Sequence, residues 1–149
     1  MALFLKDVMN RDVASINPDR SIRFASRILK TVDISCLVAI EKSGIVGILT
    51  ERDIVQKVIS PGLDPDKTKV RDVMSKNVIT IDKDKPIESA ADVMEKNGIK
   101  KIPITESGKL IGIITMTDIV KAMKKGYFDG MDGHDGKAFG QKPANGHGL

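Results

Sequence analysis

Shifted along itself by 65 residues, the chain meets its own copy without a gap, and this repeat constrains the fold more than any other feature. Asp7-Val8-Met9 falls on Asp72-Val73-Met74, Val13 on Val78, Ile16 on Ile81, Asp19 on Asp84, Ile22 on Ile87 and Ala25 on Ala90. Further on, Ile34 falls on Ile99, Glu41 on Glu106, Gly47-Ile48 on Gly112-Ile113, Thr50 on Thr115 and Asp53-Ile54-Val55 on Asp118-Ile119-Val120. These sixteen identities share one register, and many other positions exchange like for like, as Arg20 for Lys85, Leu37 for Ile102 and Val46 for Ile111. The economical reading is two copies of one unit.

Each copy predicts the same string of elements. Val13-Ala14-Ser15-Ile16 and Val78-Ile79-Thr80-Ile81 alternate as short strands do, and Asn17-Pro18-Asp19-Arg20-Ser21 supplies a turn and helix-capping residues. Ile22, Ala25, Leu29 and Val32 keep helical spacing with basic residues between them, and Ile87, Ala90, Ala91 and Met94 repeat that stripe. Next come β-rich runs over 36–40 and 45–49 around Glu41-Lys42-Ser43-Gly44, matched by 102–105 and 110–114 around Glu106-Ser107-Gly108-Lys109. A helix closes each copy, over 51–59 and 116–125. The fold class is therefore α/β, two tandem β-α-β-β-α units over 5–60 and 70–125, joined by a polar, doubly proline-marked linker over 61–69. A unit of roughly 60 residues buries too little surface to be robust alone, so the copies are expected to pack as one pseudo-twofold body with two similar clefts.

Composition narrows the function. The 24 Lys and Arg exceed the 20 Asp and Glu by only +4, interleaved with acids, a surplus too small to mark a strong nucleic-acid binder, and with no Trp and one Tyr base-stacking platforms are scarce. The single Cys36 cannot form an internal disulfide, and no apolar run approaches the roughly 18 residues that span a bilayer. A cytoplasmic protein is expected. Residues 126–149 hold seven of the thirteen glycines and no apolar period, and read as a flexible tail. Its Asp129, Asp132, His134 and Asp135 lack the alternating ligands and closing Glu of a calcium loop, so no metal is expected there, while Tyr127 and Phe128 are candidates to pack back on the last helix.

The sharpest local feature is Thr50-Glu51-Arg52-Asp53, echoed by Thr115-Met116-Thr117-Asp118, where a strand runs into a helix. Thr followed three residues later by an acid is close to a capping box, which satisfies orphan backbone N–H groups. The same junction is a natural anion site, and a carboxylate one turn in can accept hydrogen bonds from both hydroxyls of a ribose. The two readings are compatible.

Taken together, the repeat, the opening Asp-Val-Met, Ile102-Pro103-Ile104 and the endings Gly47-Ile48-Leu49-Thr50-Glu51-Arg52-Asp53 and Gly112-Ile113-Ile114-Thr115-Met116-Thr117-Asp118 resemble a tandem pair of CBS (cystathionine β-synthase) domains over about residues 5 to 124. It is similar to the small stand-alone CBS-pair proteins of archaea and bacteria. The resemblance implies a regulatory module, often homodimeric, whose clefts bind AMP, ADP, ATP or S-adenosylmethionine and signal to an effector protein. It implies that Thr50 with Asp53, and Thr115 with Asp118, hold phosphate or ribose. It assigns the base, largely through backbone groups, to Ala14, Ser15 and Ile16, and to Ile79, Thr80 and Ile81. Cys36 and Leu37 in copy one, and Lys100, Lys101, Ile102 and Pro103 in copy two, would add apolar and basic contacts.

The copies differ in charge. Copy two carries Lys100-Lys101 where copy one has Ser35-Cys36, and copy one carries Arg52 where copy two has Thr117. Unequal sites are expected, with the Thr115/Asp118 cleft as the first choice for a phosphorylated ligand and a basic residue of either copy able to reach across. The plainer alternatives are a solvated pair at Lys100-Lys101 and a surface partner for Glu51 at Arg52. No catalytic motif or metal-ligand spacing is present, and no enzymatic activity or catalytic cofactor is expected. The competing readings are a dimerising scaffold with empty clefts and a weak nucleic-acid binder.

Overall fold

The computed structural model describes residues 3–130, with side chains through residue 126. Its elements run α1 (Leu5–Val8), β1 (Ser15–Ile16), α2 (Ile22–Val32), β2 (Cys36–Glu41), β3 (Gly44–Thr50), α3 (Glu51–Ile54, continuing as a π-helical turn, Val55–Ile59), α4 (Val70–Val73), β4 (Ile81–Asp82), α5 (Ile87–Asn97), β5 (Lys101–Glu106), β6 (Lys109–Thr115) and α6 (Met116–Gly130). Two three-stranded sheets form, β1-β2-β3 and β4-β5-β6, each with one parallel and one antiparallel pairing. Both hairpins slip register at the same repeat position, between Ala39 and Ile40 and between Ile104 and Thr105.

Three elements differ from the pattern in the sequence. The first strands are only two residues long, because Val13 and Ala14 lead into the sheet rather than lie in it, and Val78 to Thr80 do the same. The helix over 51–59 changes from α to π at Val55, a local widening that periodicity cannot report. The last helix continues to Gly130, so its final turn occupies residues assigned to the tail. The Asp129, Asp132, His134 and Asp135 cluster, the packing of Tyr127 and Phe128, and the tail beyond residue 130 lie outside the described residues or side chains.

The packing follows the repeat but crosses between copies. One core gathers Ile16, Ile22, Leu29, Leu37, Leu49 and Val58 of the first copy and takes Val70, Val73 and Met74 from the second. The other gathers Ile87, Met94, Ile102, Ile104, Ile114 and Ile119 of the second copy and takes Leu5 and Met9 from the first. Helices α1 and α4 are thus exchanged. The exchange is stitched by matching backbone bonds: Ile22 N–H donates to Thr68 O (2.9 Å) as Ile87 N–H donates to Leu3 O (3.1 Å), and Val70 N–H donates to Arg20 O (2.9 Å) as Leu5 N–H donates to Lys85 O (2.9 Å). Short bridges Asn10–Ile113 and Ser75–Ile48 carry each exchanged segment onto the far edge of the other copy's sheet. The 61–69 segment is exposed but tied to the start of α2, Ile22 N–H donating to Thr68 O and Arg23 N–H to Pro65 O (3.0 Å).

Candidate functional site

The exchange creates the clefts. A first cleft of about 260 Å³ is lined by Asn10, Asp12, Val13, Asp33, Ile34, Ser35 and Cys36 of copy one and by Ile113 and Thr115 of copy two. The repeat carries those positions onto Ser75, Asn77, Val78, Gly98, Ile99, Lys100, Lys101, Ile48 and Thr50, and all of these line the second cleft or the pocket beside it. The second cleft measures about 320 Å³ and adds Arg52. It shares Ile48, Ser75, Ile99 and Lys101 with an adjoining pocket of about 100 Å³ that reaches Lys76 and Ile79. Each cleft thus takes the wall that leads into the strands from one copy and its closing threonine from the other.

The Thr-x-x-Asp motifs are capping boxes. Asp53 N–H donates to Thr50 Oγ1 (3.1 Å) while Asp53 Oδ2 accepts from Thr50 N–H (3.0 Å). Asp118 N–H likewise donates to Thr115 Oγ1 (3.2 Å), and Asp118 Oδ2 accepts from Thr115 N–H and Oγ1 (both 2.9 Å). The copies then part. Lys57 Nζ sits 3.1 Å from Asp53 Oδ1 and also donates to Val73 O (3.1 Å), so both oxygens of Asp53 are engaged. Ala122 stands at the repeat position of Lys57, and among the described residues Asp118 Oδ1 accepts no hydrogen bond. Neither carboxylate lines a cleft.

At the midline, Lys101 Nζ donates to Ser35 Oγ (2.7 Å), tying the start of β5 to the start of β2. Burial pushes the Cys36 thiol above its usual pKa, against a smaller opposing pull from Lys101. A raised thiol is a poor nucleophile, so Cys36 contributes wall rather than chemistry.

Besides Asp53 and Asp118, nine residues named from the sequence line no cleft. Ile16, Leu37, Ile102 and Pro103 are buried within the sheets, and Ile81 packs against the second core. Ala14 abuts the first core while its carbonyl accepts from Val38 N–H (3.0 Å). Ser15 and Thr80 are exposed outside the cleft linings. Cys36, Thr50, Arg52, Ile79, Lys100, Lys101 and Thr115 do line clefts, whereas Thr117 is exposed on the first turn of α6 and appears in neither. Arg52 and the two lysines meet in the Thr50 cleft, while the Thr115 cleft holds none of them. The expectation of a phosphate-suited Thr115 cleft therefore loses its basis, because the closing motif faces the other copy's wall. Asn10, Asp12, Asp33, Ser75 and Asn77 escaped the sequence reading. Asp33 and Asn77 both adopt left-handed backbone (φ 59° and 61°), a conformation that Asp and Asn tolerate better than other side chains.

Two repeats that exchange their opening helices and enclose paired inter-copy clefts define a tandem-repeat cleft module. The chain belongs to the CBS domain family, whose model matches residues 5–60 and 70–125. It is 39% identical over 117 residues to the Methanopyrus kandleri protein MK0525, covering 77% of this chain and 60% of that protein, under two thirds of its length. A solved structure of a conserved Pyrococcus horikoshii protein superposes with TM-score 0.74 at 34% identity, over 83% of this chain and 94% of that one. The CBS domain pair of protein MJ0100, solved in complex with 5′-methylthioadenosine and S-adenosyl-L-methionine, superposes with TM-score 0.75 at 26% identity, over 85% of this chain and 99% of that one.

Proposed function

We propose that this protein is a regulatory module that binds an adenosine-containing ligand (AMP, ADP, ATP or S-adenosylmethionine) in its inter-copy clefts and passes occupancy to a second copy or an effector protein. The observation that carries the reading is the pair of repeat-related clefts, each walled by one copy and closed by the threonine of the other. A ligand there touches both halves at once, which is the differential contact that a two-state switch needs. Neither carboxylate lines a cleft, but Asp118 keeps one oxygen uncommitted and is the freer of the two to turn toward a ribose hydroxyl. The Cys36 thiol, raised by burial, is a poor nucleophile, and this favours a non-catalytic role for that wall.

A second copy is the proposed partner for the exposed apolar residues of the two closing helices, Val55 and Ile59 on the first and Val120 and Met123 on the second, which are 57%, 59%, 41% and 60% exposed. Val55 and Val120 are repeat equivalents.

The test is thermal unfolding of nucleotide-free protein with adenosine, 5′-methylthioadenosine, S-adenosylmethionine, AMP, ADP and ATP, with Asp53→Asn and Asp118→Asn in parallel. At a hundredfold excess over Kd, linkage gives about 2.7 kcal/mol of stabilisation. The expected result is a rise in Tm with at least one adenosine compound, reduced by Asp53→Asn or by Asp118→Asn according to the cleft that the compound occupies. A flat response across the panel overturns the reading and leaves a scaffold. Sedimentation equilibrium of the same samples reads the dimer, and a molar mass of one chain overturns that part.

A further inference from the structure

We infer that the two clefts divide their ligands by charge: the Thr50 cleft is built for a nucleoside polyphosphate, one per chain, and the Thr115 cleft excludes phosphate. The inference rests on the adenosine-binding reading above and deepens it.

Every charge difference between the repeat-related cleft walls runs in one direction. Where the Thr115 cleft has Asp12 and Asp33, the Thr50 cleft has the neutral Asn77 and Gly98. Ser35 and Cys36 are replaced by Lys100 and Lys101, and Arg52 is added where the other copy has Thr117. Among the described residues no carboxylate lines the Thr50 cleft or its adjoining pocket, and the lining of the Thr115 cleft includes no basic side chain, its nearest cation being Lys101, which reaches the wall at Ser35. Even the exception is consistent. Lys76 lines the adjoining pocket, whereas its equivalent Arg11 donates to Lys6 O (3.4 Å) and stays off the opposite wall.

Among the described residues none of Arg52, Lys76, Lys100 or Lys101 has an anionic partner, a state they share with most of the surface cations, so their charge is available to a ligand. Lys101 is held only by the neutral Ser35 hydroxyl. Positive groups gathered around one concavity repel until an anion arrives, and the concavity concentrates their field. The anion must be large enough to reach several of them, and phosphate is the group that Arg and Lys bind most strongly through charge-assisted bonds. The 320 Å³ volume, with apolar Ile48 and Ile99 beside the cations, suits a base and sugar carrying a phosphate chain. In the Thr115 cleft, Asp12 and Asp33 would repel that chain and tolerate a neutral or cationic adenosine compound.

The test is titration calorimetry of the full chain, freed of bound nucleotide, in magnesium-free buffer against adenosine, AMP, ADP and ATP. The expected result is one ATP per chain, bound at least tenfold more tightly than adenosine, with the gap narrowing as salt is raised. Arg52→Gln and Lys100→Gln should each weaken ATP about tenfold and leave adenosine within about twofold. Lys42→Gln removes the same charge from the β2–β3 turn, away from the clefts, and serves as the charge control. ATP binding no tighter than adenosine, two equal ATP sites per chain, or cleft variants that behave like Lys42→Gln would each overturn the division. Adenosine binding without a gain from phosphate sinks this inference alone, whereas no binding by any compound sinks the adenosine reading with it.

Discussion

Met74 lies where a side chain on Gly47 would have to go, and Met9 stands in the same relation to Gly112, with Sδ 2.7 Å from a Cβ built there. Each copy therefore keeps a glycine in its third strand so that the methionine of the other copy's opening helix can lie flat on the sheet. Asp7 and Asp72, two residues before these methionines, cap the same helices by accepting from Phe4 N–H (3.0 Å) and Lys69 N–H (3.3 Å). Gly47→Ala and Gly112→Ala are each predicted to cost about 1–3 kcal/mol of stability, the range for overpacking a filled core. Gly112→Ala should cost more, because the added carbon also meets the Asn10 carbonyl oxygen at 3.0 Å, and backbone yields less readily than a methionine. Urea denaturation measures both, and unchanged midpoints would refute the lock. The sequence marks all four residues as repeated identities, yet a one-dimensional register cannot say that Met9 meets Gly112 rather than Gly47.

The exchanged helices α1 and α4 have only four residues each, too few to be stable without tertiary partners. Repeat-related ion pairs clamp both to the opposite copy: Lys6 with Asp84 (3.0 Å) on α1, and Arg71 with Asp19 (3.1 Å) and Glu41 (2.6 Å) on α4. Hydrogen bonds from Lys6 and Lys83 hold the Asp84 carboxyl below its usual pKa, and the bond from Arg71 does the same for Asp19. A carboxyl whose pKa is lower folded than unfolded stabilises the fold above the unfolded value of about 3.9, and loses that contribution as pH falls through the folded value. Lys6→Gln and Arg71→Gln should therefore lower the urea midpoint slightly at pH 6, and the gap should begin to close below about pH 3.9 and vanish once pH has fallen through the lowered folded values. A gap that persists at low pH would assign the loss to packing instead. Helices α2 and α5 were legible from their apolar stripes, since amphipathic periodicity survives any arrangement of neighbours. The four-residue helices were not, because nothing in four residues establishes a period.

At the scale of the molecule, reciprocal exchange makes each half incomplete. A fragment of residues 1–62 would keep the first core but lack Val70, Val73 and Met74, and would leave Leu5 and Met9 with nowhere to bury. The fragments 1–62 and 63–149 are each predicted to lack cooperative thermal unfolding when alone and to regain it when mixed. A cooperative transition in either fragment at the parent Tm would show that a copy folds by itself. The repeat boundary read from the sequence and the boundary of each core thus differ by one helix.

The sequence by itself determined the repeat, the α/β strings, the capping boxes at Thr50 and Thr115, and the family, because all of these are written in local spacing and in a register that holds along the whole chain. Only the tertiary structure decided which copy completes which cleft. The closing threonine of one copy meets the other's wall, and the charges of Arg52, Lys100 and Lys101 converge in a single place. The physical reason is that a pattern of residues specifies which surfaces must be buried, while the partner of each surface is fixed by packing between segments far apart in the chain.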